Sequence, residues 1–188
     1  MNTVAEVLDA LENAGGPARD APRIIGIDGP AGSGKSTLAA EIAAATGAPV
    51  VGIDDFLGWT DLDPERRTWW PRLEAEVLEP FLAGRPLAYR RRDWHGDPDG
   101  IGTRPSPIEL GSGPLLVLEG VTVTRLAVAG RLSVRVWVEA PSGIRLARGI
   151  ERDGEEQLAH WIRWQELESE FFALDETRER ADVLVATA

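Results

Sequence analysis

The chain has 188 residues, 43% of them hydrophobic, with a formal net charge of −11 and no cysteine. This length and composition predict one compact domain over residues 1–188. The acidic balance argues against a general nucleic-acid binder, which needs a basic face to neutralise backbone phosphates. No apolar run is long enough to span a bilayer and no export signal is visible, so we expect no membrane partner and a cytoplasmic location.

Short apolar segments alternate with helical patterns along the chain. The predicted elements are, in chain order, a helix at 1–13, a strand at 23–28, a helix at 35–46, a strand at 50–53, a helix at 70–82, a short strand at 87–89, a Gly/Pro/Asp-rich loop to 113, a strand at 115–118, a short helix at 123–128, a strand at 134–138, further helices and a strand at 181–185. This alternation predicts an α/β fold with a mainly parallel sheet covered by helices on both faces.

The segment 29–37, between the first predicted strand and the following helix, reads Gly-Pro-Ala-Gly-Ser-Gly-Lys-Ser-Thr. It satisfies G-x-x-x-x-G-K-[ST] in the strand, loop and helix context that a phosphate loop requires. Its glycines let successive backbone N–H groups point at phosphate oxygens, and the helix N-terminus favours negative charge. We therefore predict a nucleoside triphosphate site formed by Gly29, Ala31, Gly32, Ser33, Gly34, Lys35, Ser36 and Thr37.

Individual side chains of this loop have separate predicted roles. Lys35 is the only lysine in a chain that otherwise uses arginine for its cations. A compact ammonium reaches between phosphate oxygens more easily than a planar guanidinium, so we expect Lys35 to bridge the outer phosphates. The Ser36 hydroxyl would bind Mg²⁺, and Thr37 would contact an inner phosphate.

Acidic residues follow two other predicted strands. In parallel sheets the ligand crevice lies at the carboxyl ends of the strands, which is where these acids fall. We predict Asp54 as the base that orients an acceptor hydroxyl and Glu119 as a ligand of Mg²⁺, most simply through water. Capping of a turn is the alternative for Asp54 and for its neighbour Asp55, and a plain turn at the strand end is the alternative for Glu119.

Three arginines, Arg145, Arg148 and Arg152, recur on one face of the helix predicted after the fourth strand of the sheet. Guanidinium groups aimed at one place repel each other unless an anion lies between them, and a triphosphate losing its terminal group supplies that anion. We predict that they contact the triphosphate, Arg148 and Arg152 with a catalytic share. Pairing with nearby glutamates and aspartates on a solvated face is the alternative.

These segments together resemble the group of phosphate-loop kinases that contains uridine kinase, phosphoribulokinase and pantothenate kinase, and uridine kinase-like proteins most of all. The resemblance is carried, in the family's order, by 29–37, Asp54-Asp55-Phe56, Leu118-Glu119-Gly120, 145–153 and 181–185. It implies a three-layer α/β fold with a five-stranded parallel sheet, an arginine-bearing lid at about 145–160, an acceptor-binding region at about 55–112, and adenine near the C-terminal strand.

The acceptor region departs from the family pattern. Uridine kinases carry a Tyr-Asp-Phe type tripeptide that helps to hold the nucleoside, and this chain has Arg92-Asp93-Trp94 at the corresponding place. Tyr89 is a possible substitute, but the arginine-rich stretch around it is equally suited to an anionic substrate. We predict acceptor contacts from Asp55, Trp59, Tyr89, Arg92 and Asp93, with aromatic core packing as the alternative for the tryptophan.

The sequence thus predicts an enzyme that uses ATP and Mg²⁺ to phosphorylate a hydroxyl group of a small molecule, with a nucleoside as the acceptor that the resemblance implies. A vitamin-type alcohol such as pantothenate or nicotinamide riboside, a sugar or an antibiotic is the alternative within kinases. An ATPase module without a phosphorylated product is the alternative outside them. A guanine-specific switch is disfavoured because its Asn-Lys-x-Asp motif needs a second lysine. The oligomeric state is not predicted.

Overall fold

The structure of the chain, a computed structural model, describes residues 3–14, 21–57, 70–93 and 103–188. The helices of these ranges are α1 (Thr3–Asn13), α2 (Lys35–Thr46), α3 (Trp70–Leu73), α4 (Glu79–Leu82), α5 (Leu126–Ala129), α6 (Ser142–Asp153) and α7 (Leu158–Asp175). The strands are β1 (Arg23–Asp28), β2 (Val50–Gly52), β3 (Leu87–Tyr89), β4 (Ile108–Leu110), β5 (Leu115–Glu119), β6 (Val134–Glu139) and β7 (Val183–Ala186).

The main sheet has five strands in the order β2-β5-β1-β6-β7. All four pairings are parallel, which confirms the predicted parallel sheet. Strand β1 lies at the centre, between two strands that come much later in the chain. Because the strands run in the same direction, their carboxyl ends meet at one edge, and this edge carries the phosphate loop after β1 and the acidic residues after β2 and β5.

The sheet is buried on both faces, as the apolar strand sequences require. In β1, Ile24 packs into a core with Leu73 and Phe81 of the middle helices. The neighbouring Ile25 and Ile27 join a second core on the other face, formed with residues of α1 and α2. Successive side chains of a strand point to opposite faces, so one short apolar strand serves both cores and gives the three-layer arrangement.

Three elements differ from the sequence-based expectation. The predicted helix at 70–82 contains a π-helical turn at Glu74–Leu78 between α3 and α4. The predicted short helix at 123–128 is α5, which begins only at Leu126. The predicted loop before residue 113 contains β4, which pairs antiparallel with β3 in a separate two-stranded sheet. A three-residue strand beside glycine and proline is too short to give a recognisable alternation, so only its partner reveals it.

In the part of the chain that the structure describes, no helix is both long enough and apolar enough to cross a bilayer.

The contact between α6 and α7 gives a stability prediction. A Cβ atom at Gly149 would lie 2.3 Å from Cε2 of Trp161, a buried residue. We expect Gly149→Ala to lower the free energy of unfolding by about 1–3 kcal/mol, because the indole must move. Gly143→Ala is the matched control, since nothing lies within 4 Å of a Cβ atom there. Urea denaturation would measure both variants, and equal stability losses would contradict this packing.

Candidate active site

The phosphate loop leaves β1 and enters α2 with glycine at two positions where no other residue fits. Gly29 has φ of 136° and Gly32 has φ of 77°, a region that side-chain-bearing residues rarely adopt. A Cβ atom would lie 2.0 Å from the Val138 carbonyl oxygen at Gly29 and 2.7 Å from the Arg145 carbonyl oxygen at Gly32. The loop is therefore packed tightly between the end of β6 and the start of α6.

Lys35, the first residue of α2, lies inside this loop. Its Nζ donates hydrogen bonds to the carbonyl oxygens of Gly29 at 2.8 Å and Pro30 at 2.9 Å. Burial lowers the pKa of the Lys35 ammonium, and the negative charges of Asp28 and Glu119 oppose that shift. The chain's one lysine is therefore held by backbone carbonyls within the loop predicted to bind phosphate.

Ser36 and Glu119 meet at the carboxyl end of β5. The Ser36 hydroxyl donates to Oε1 of Glu119 at 3.3 Å. Desolvation is the largest cause that raises the pKa of Glu119, and the nearby Asp54 adds to it. A hydroxyl and a carboxylate are oxygen ligands that suit Mg²⁺, which keeps several waters and takes further oxygens from phosphates. No group of three or more acidic, histidine or cysteine side chains able to hold a metal occurs among the described residues. These two therefore fit Mg²⁺ only as part of a site completed by ligand and water oxygens.

Asp54 lies in a short 3₁₀ helix, Ile53–Asp55, that follows β2. Asp54 is exposed to solvent, but neighbouring protein displaces part of the water around its carboxyl group. This desolvation raises the pKa of the Asp54 carboxyl, whereas the positive charges of Lys35 and Arg152 act in the opposite direction. Asp54 thus shares one electrostatic environment with the lysine of the phosphate loop, as the sequence predicts for a base facing a transferred group.

The side chain of the neighbouring Asp55 contacts residues in and next to β3. Its Oδ2 accepts a hydrogen bond from the Tyr89 hydroxyl at 3.1 Å and pairs with Nε of Arg91 at 3.3 Å. Its backbone oxygen accepts from the N–H of Arg92 at 2.8 Å. Only 2% of Tyr89 and 2% of Arg92 is exposed. Asp55, Tyr89 and Arg92 therefore hold the β3–β4 sheet against the turn after β2, and their predicted contacts with the acceptor stay a prediction.

Asp93 and Trp59 are the other two residues predicted to contact the acceptor. Asp93 is half-buried at the end of this wall. Trp59 lies outside the described residues, and its predicted role stays a prediction.

The three arginines of α6 do not converge on one point. Arg145 is buried, and its Nη1 forms an ion pair with Glu168 and donates to the Ala31 carbonyl oxygen at 3.3 Å. Arg145 is therefore paired with Glu168 and contacts the phosphate loop at the Ala31 carbonyl oxygen, and its predicted contact with the triphosphate stays a prediction.

Arg148 and Arg152 lie further along the same helix. Arg148 donates from Nη1 to the Gly32 carbonyl oxygen at 3.1 Å and to the Thr187 hydroxyl at 3.2 Å, so it joins the loop to the residues after β7. Arg152 pairs with Asp153, lies 5.5 Å from the Trp161 ring centre and is in electrostatic contact with Asp54. Of the three, only Arg152 is electrostatically coupled to the predicted base.

Asp28 is a functional-site residue that the sequence reasoning missed. Its fully buried carboxylate accepts hydrogen bonds from the N–H groups of Gly29 at 2.7 Å and Thr122 at 2.8 Å. It also accepts from the N–H of Thr124 at 2.7 Å and from its hydroxyl at 3.0 Å. Burial raises the pKa of Asp28, and these hydrogen bonds oppose the shift. An acid ending an apolar strand was the signal that could have identified it.

Two more supports of the loop come from the C-terminal part of the chain. Glu168 of α7 accepts from the Ala31 N–H at 2.8 Å, across 137 residues of sequence. The Thr187 hydroxyl donates to the Ser33 carbonyl oxygen at 2.8 Å. Neither residue lies in a recognisable motif, so no sequence pattern could have revealed these contacts.

No family model and no curated protein matches this sequence. Solved structures do match. A possible uridine kinase from Bacillus stearothermophilus aligns over 98% of this chain and 100% of its own, with a TM-score of 0.66 and 19% identity. A candidate fructose transport system kinase from Silicibacter sp. aligns over 98% of both chains, with a TM-score of 0.64 and 20% identity.

A D-glycerate 3-kinase from Cryptococcus neoformans aligns over 89% of this chain and 86% of its own, with a TM-score of 0.63 and 15% identity. Together with the strand order and the phosphate loop, these likenesses define the fold: the chain has the three-layer α/β fold of the P-loop kinases. At such low identity they define the fold alone.

The four hydrogen bonds of Asp28 give a test of how the site is held. Each oxygen of the Asp28 carboxylate accepts two hydrogen bonds. In Asp28→Asn an NH₂ group replaces one of these oxygens, and because NH₂ cannot accept, two donors lose their partner. At about 1–3 kcal/mol for each unsatisfied donor, we expect a loss of about 2–6 kcal/mol in the free energy of unfolding. Asp9→Asn on the exposed side of α1 is the control and should change stability by less than about 0.5 kcal/mol. Chemical denaturation distinguishes the two, and an unchanged Asp28→Asn protein would refute the anchoring role.

Proposed function

We propose that this protein is an ATP-dependent kinase that transfers the γ-phosphate to a hydroxyl group of a small molecule. The observation that carries the proposal is the grouping, at one edge of the sheet, of the phosphate loop with Lys35, the Ser36–Glu119 pair and the solvent-exposed residue Asp54. A phosphate loop alone is common to switches, motors and kinases. An additional carboxylate in the electrostatic environment of its lysine is what transfer to an alcohol requires.

The donor half of the site would work mainly by charge and position. Backbone N–H groups of the loop and the start of α2 would bind phosphate oxygens, and Lys35 would exchange its carbonyl partners for them. Lys35 and Arg152 would balance the negative charge of the transferred group. Arg148, which joins the loop to Thr187, would keep the loop in place beside the C-terminal strand.

Mg²⁺ would be held by Ser36 and, most simply through water, by Glu119. When bound, the ion supplies positive charge next to the phosphates. The raised pKa of Glu119 has desolvation and the repulsion of Asp54 as its leading causes, so an added positive charge would favour its ionised form.

Asp54 would orient the acceptor hydroxyl and take its proton as the phosphoryl group moves. A raised pKa makes the carboxylate a better proton acceptor than an ordinary aspartate. Because Asp54 is exposed to solvent, an acceptor could bind beside it.

The nucleoside acceptor that the resemblance implies is the finer part of the proposal, and it has less support than the phosphotransfer itself. Tyr89, the candidate to hold a nucleoside, is buried and gives its hydroxyl to Asp55. The neighbours by fold have names that refer to uridine, fructose transport and D-glycerate, so the shared fold does not favour one acceptor. A vitamin-type alcohol, a sugar or an antibiotic stays an alternative on the same machinery.

The base is tested with Asp54→Asn. We expect turnover to fall by about 100-fold or more while ATP binds almost normally, because the amide cannot accept the proton. Acceptor-dependent ADP formation and the mass of the product would be measured after a screen of nucleosides, sugars and vitamin alcohols. Asp9→Asn, an exposed change of the same kind, is the control. Near-normal turnover of Asp54→Asn would exclude it as the base. Free phosphate release without a phosphorylated acceptor would favour an ATPase module instead.

The lysine is tested with Lys35→Arg, which keeps the charge. The Lys35 side chain is 7% exposed and is held between two carbonyl oxygens, so a planar guanidinium cannot occupy the same place. We expect kcat to fall by at least about 100-fold. The reverse exchange Arg163→Lys, at an exposed ion pair on α7, should leave kcat unchanged. An active Lys35→Arg enzyme would show that positive charge alone suffices.

A further inference from the structure

Arginines are concentrated on the wall next to Asp54 and Asp55, in a chain whose net charge is −11. We call this wall the basic hairpin and define it as residues 87–92 and 103–110. Its arginines are Arg90, Arg91, Arg92 and Arg104. The hairpin is joined to the turn after β2 by the pairing of Asp55 with Arg91 and by the hydrogen bond from the Arg92 N–H to the Asp55 carbonyl oxygen. A positive region therefore adjoins the place where the acceptor hydroxyl would lie.

Arg91 is the arginine best placed to meet an acceptor. Its Nε lies 3.3 Å from Oδ2 of Asp55, and 54% of its side chain is exposed. Asp55 is held in turn by the Tyr89 hydroxyl, so the carboxylate that positions Arg91 is itself fixed. A guanidinium has five N–H donors, more than the contacts of Arg91 with Asp55 and Tyr89 use, so N–H groups remain for a carboxylate or phosphate.

Arg104 lies across from Arg91 on the neighbouring strand segment. Arg92 and Thr103 form an antiparallel bridge, and the Arg104 N–H donates to the Arg91 carbonyl oxygen at 2.8 Å. Residues directly opposite in such a pair share a face, so Arg91 and Arg104 present like charges to the same side. Within the described ranges no carboxylate pairs with the Arg104 guanidinium.

Described acids also lie in or beside the basic hairpin, Glu109 within it and Asp93 next to Arg92, and they are fewer than its four arginines. Asp55 is shared by Arg91 and Tyr89, and Glu76 pairs with Arg72 on α3. Among the described residues, Asp55 is the one carboxylate that pairs with either Arg91 or Arg104, and such an excess of guanidinium groups favours a further anion. The neighbouring Arg90 differs, because it lines a groove of about 390 Å³ with Arg72 and Glu76, to which neither Arg91 nor Arg104 contributes.

We infer that the phosphate acceptor is an alcohol that also carries an anionic group, a carboxylate or a phosphate, and that Arg91 and Arg104 bind this group. The inference rests on the proposed kinase function, which it makes more specific. Asp54 is the neighbour in sequence of Asp55, whose carboxylate positions Arg91. With the anionic group bound to the basic hairpin, the acceptor hydroxyl would face Asp54. The hairpin would then select acceptors by charge, and a neutral nucleoside would lack the group that it recognises.

The experiment compares acceptors that differ only in the anionic group. D-Glycerate and glycerol, and pantothenate and its neutral alcohol, test a carboxylate, and ribose 5-phosphate and ribose test a phosphate, with uridine as the nucleoside. Binding would be measured by calorimetry with Mg²⁺ and a non-hydrolysable ATP analogue, and turnover by product mass. We expect at least one anionic member to exceed its neutral partner by about 10- to 100-fold in affinity and kcat/KM, the range of charge-assisted hydrogen bonds.

The assignment to the two arginines is tested in the same assays. Arg91→Gln and Arg104→Gln should each raise the Kd of the anionic acceptor by about 10-fold or more and leave the KM for ATP unchanged. Arg104→Gln guards against an effect through folding, because its side chain has no ion pair among the described residues. Arg90→Gln, one position away and in the lining of the separate groove, is the matched control and should leave the affinity unchanged. An equal loss in Arg90→Gln would overturn the assignment.

Failure of this inference and failure of the kinase proposal give different results. Neutral acceptors that bind as well as their anionic partners, or a preference for uridine, would overturn the inference and leave the kinase intact. If no acceptor gains phosphate, the kinase proposal fails. An anion preference in binding that is lost in Arg91→Gln would still support the anion site.

Discussion

Buried carboxylates that hold backbone N–H groups are the interaction on which this structure depends. A phosphate loop must present a ring of donors to its ligand, and such a backbone has no helix or sheet partners of its own. Asp28 accepts a hydrogen bond from the N–H of Gly29, the first residue of the loop, and Glu168 accepts one from the N–H of Ala31, two residues further on. The loop is thereby fixed by elements that come before and long after it in the chain.

The same contacts connect the loop to its surroundings. Asp28 also holds Thr122 and Thr124, which follow the strand that ends in Glu119. Glu168 also neutralises Arg145, so α6 and α7 are tied to the loop together. The phosphate loop, the carboxyl end of β5 and helix α6 are thus parts of one hydrogen-bonded unit. A change in any of its buried charges would alter the geometry of the others, because an unpaired charge in this environment is costly.

The two halves of the candidate site are built in different ways. The proposed donor half consists of the end of the central strand, the start of a helix and the buried charges that hold them. Most of its residues belong to short sequence motifs. The acceptor half uses a small antiparallel hairpin joined to the turn after β2 through Asp55, Tyr89 and Arg91. A wall assembled from a few side-chain contacts can change its charge without disturbing the sheet. Under the proposed function, acceptor choice could therefore vary on this fold while the phosphoryl transfer stays the same.

The sequence by itself determined the elements of the sheet and most of the donor half. Apolar strands, the glycine pattern of the loop and the acids at strand ends are local features, and the predicted roles of Lys35, Ser36, Asp54 and Glu119 all come from them. Only the tertiary structure decided the roles of Asp28, Arg145, Glu168 and the residues around Tyr89. Their partners lie far away in sequence, across 94, 114 or 137 residues, or on another element of the fold. Periodicity and spacing describe what is close along the chain, whereas the pairing of buried charges depends on which segments the fold brings together.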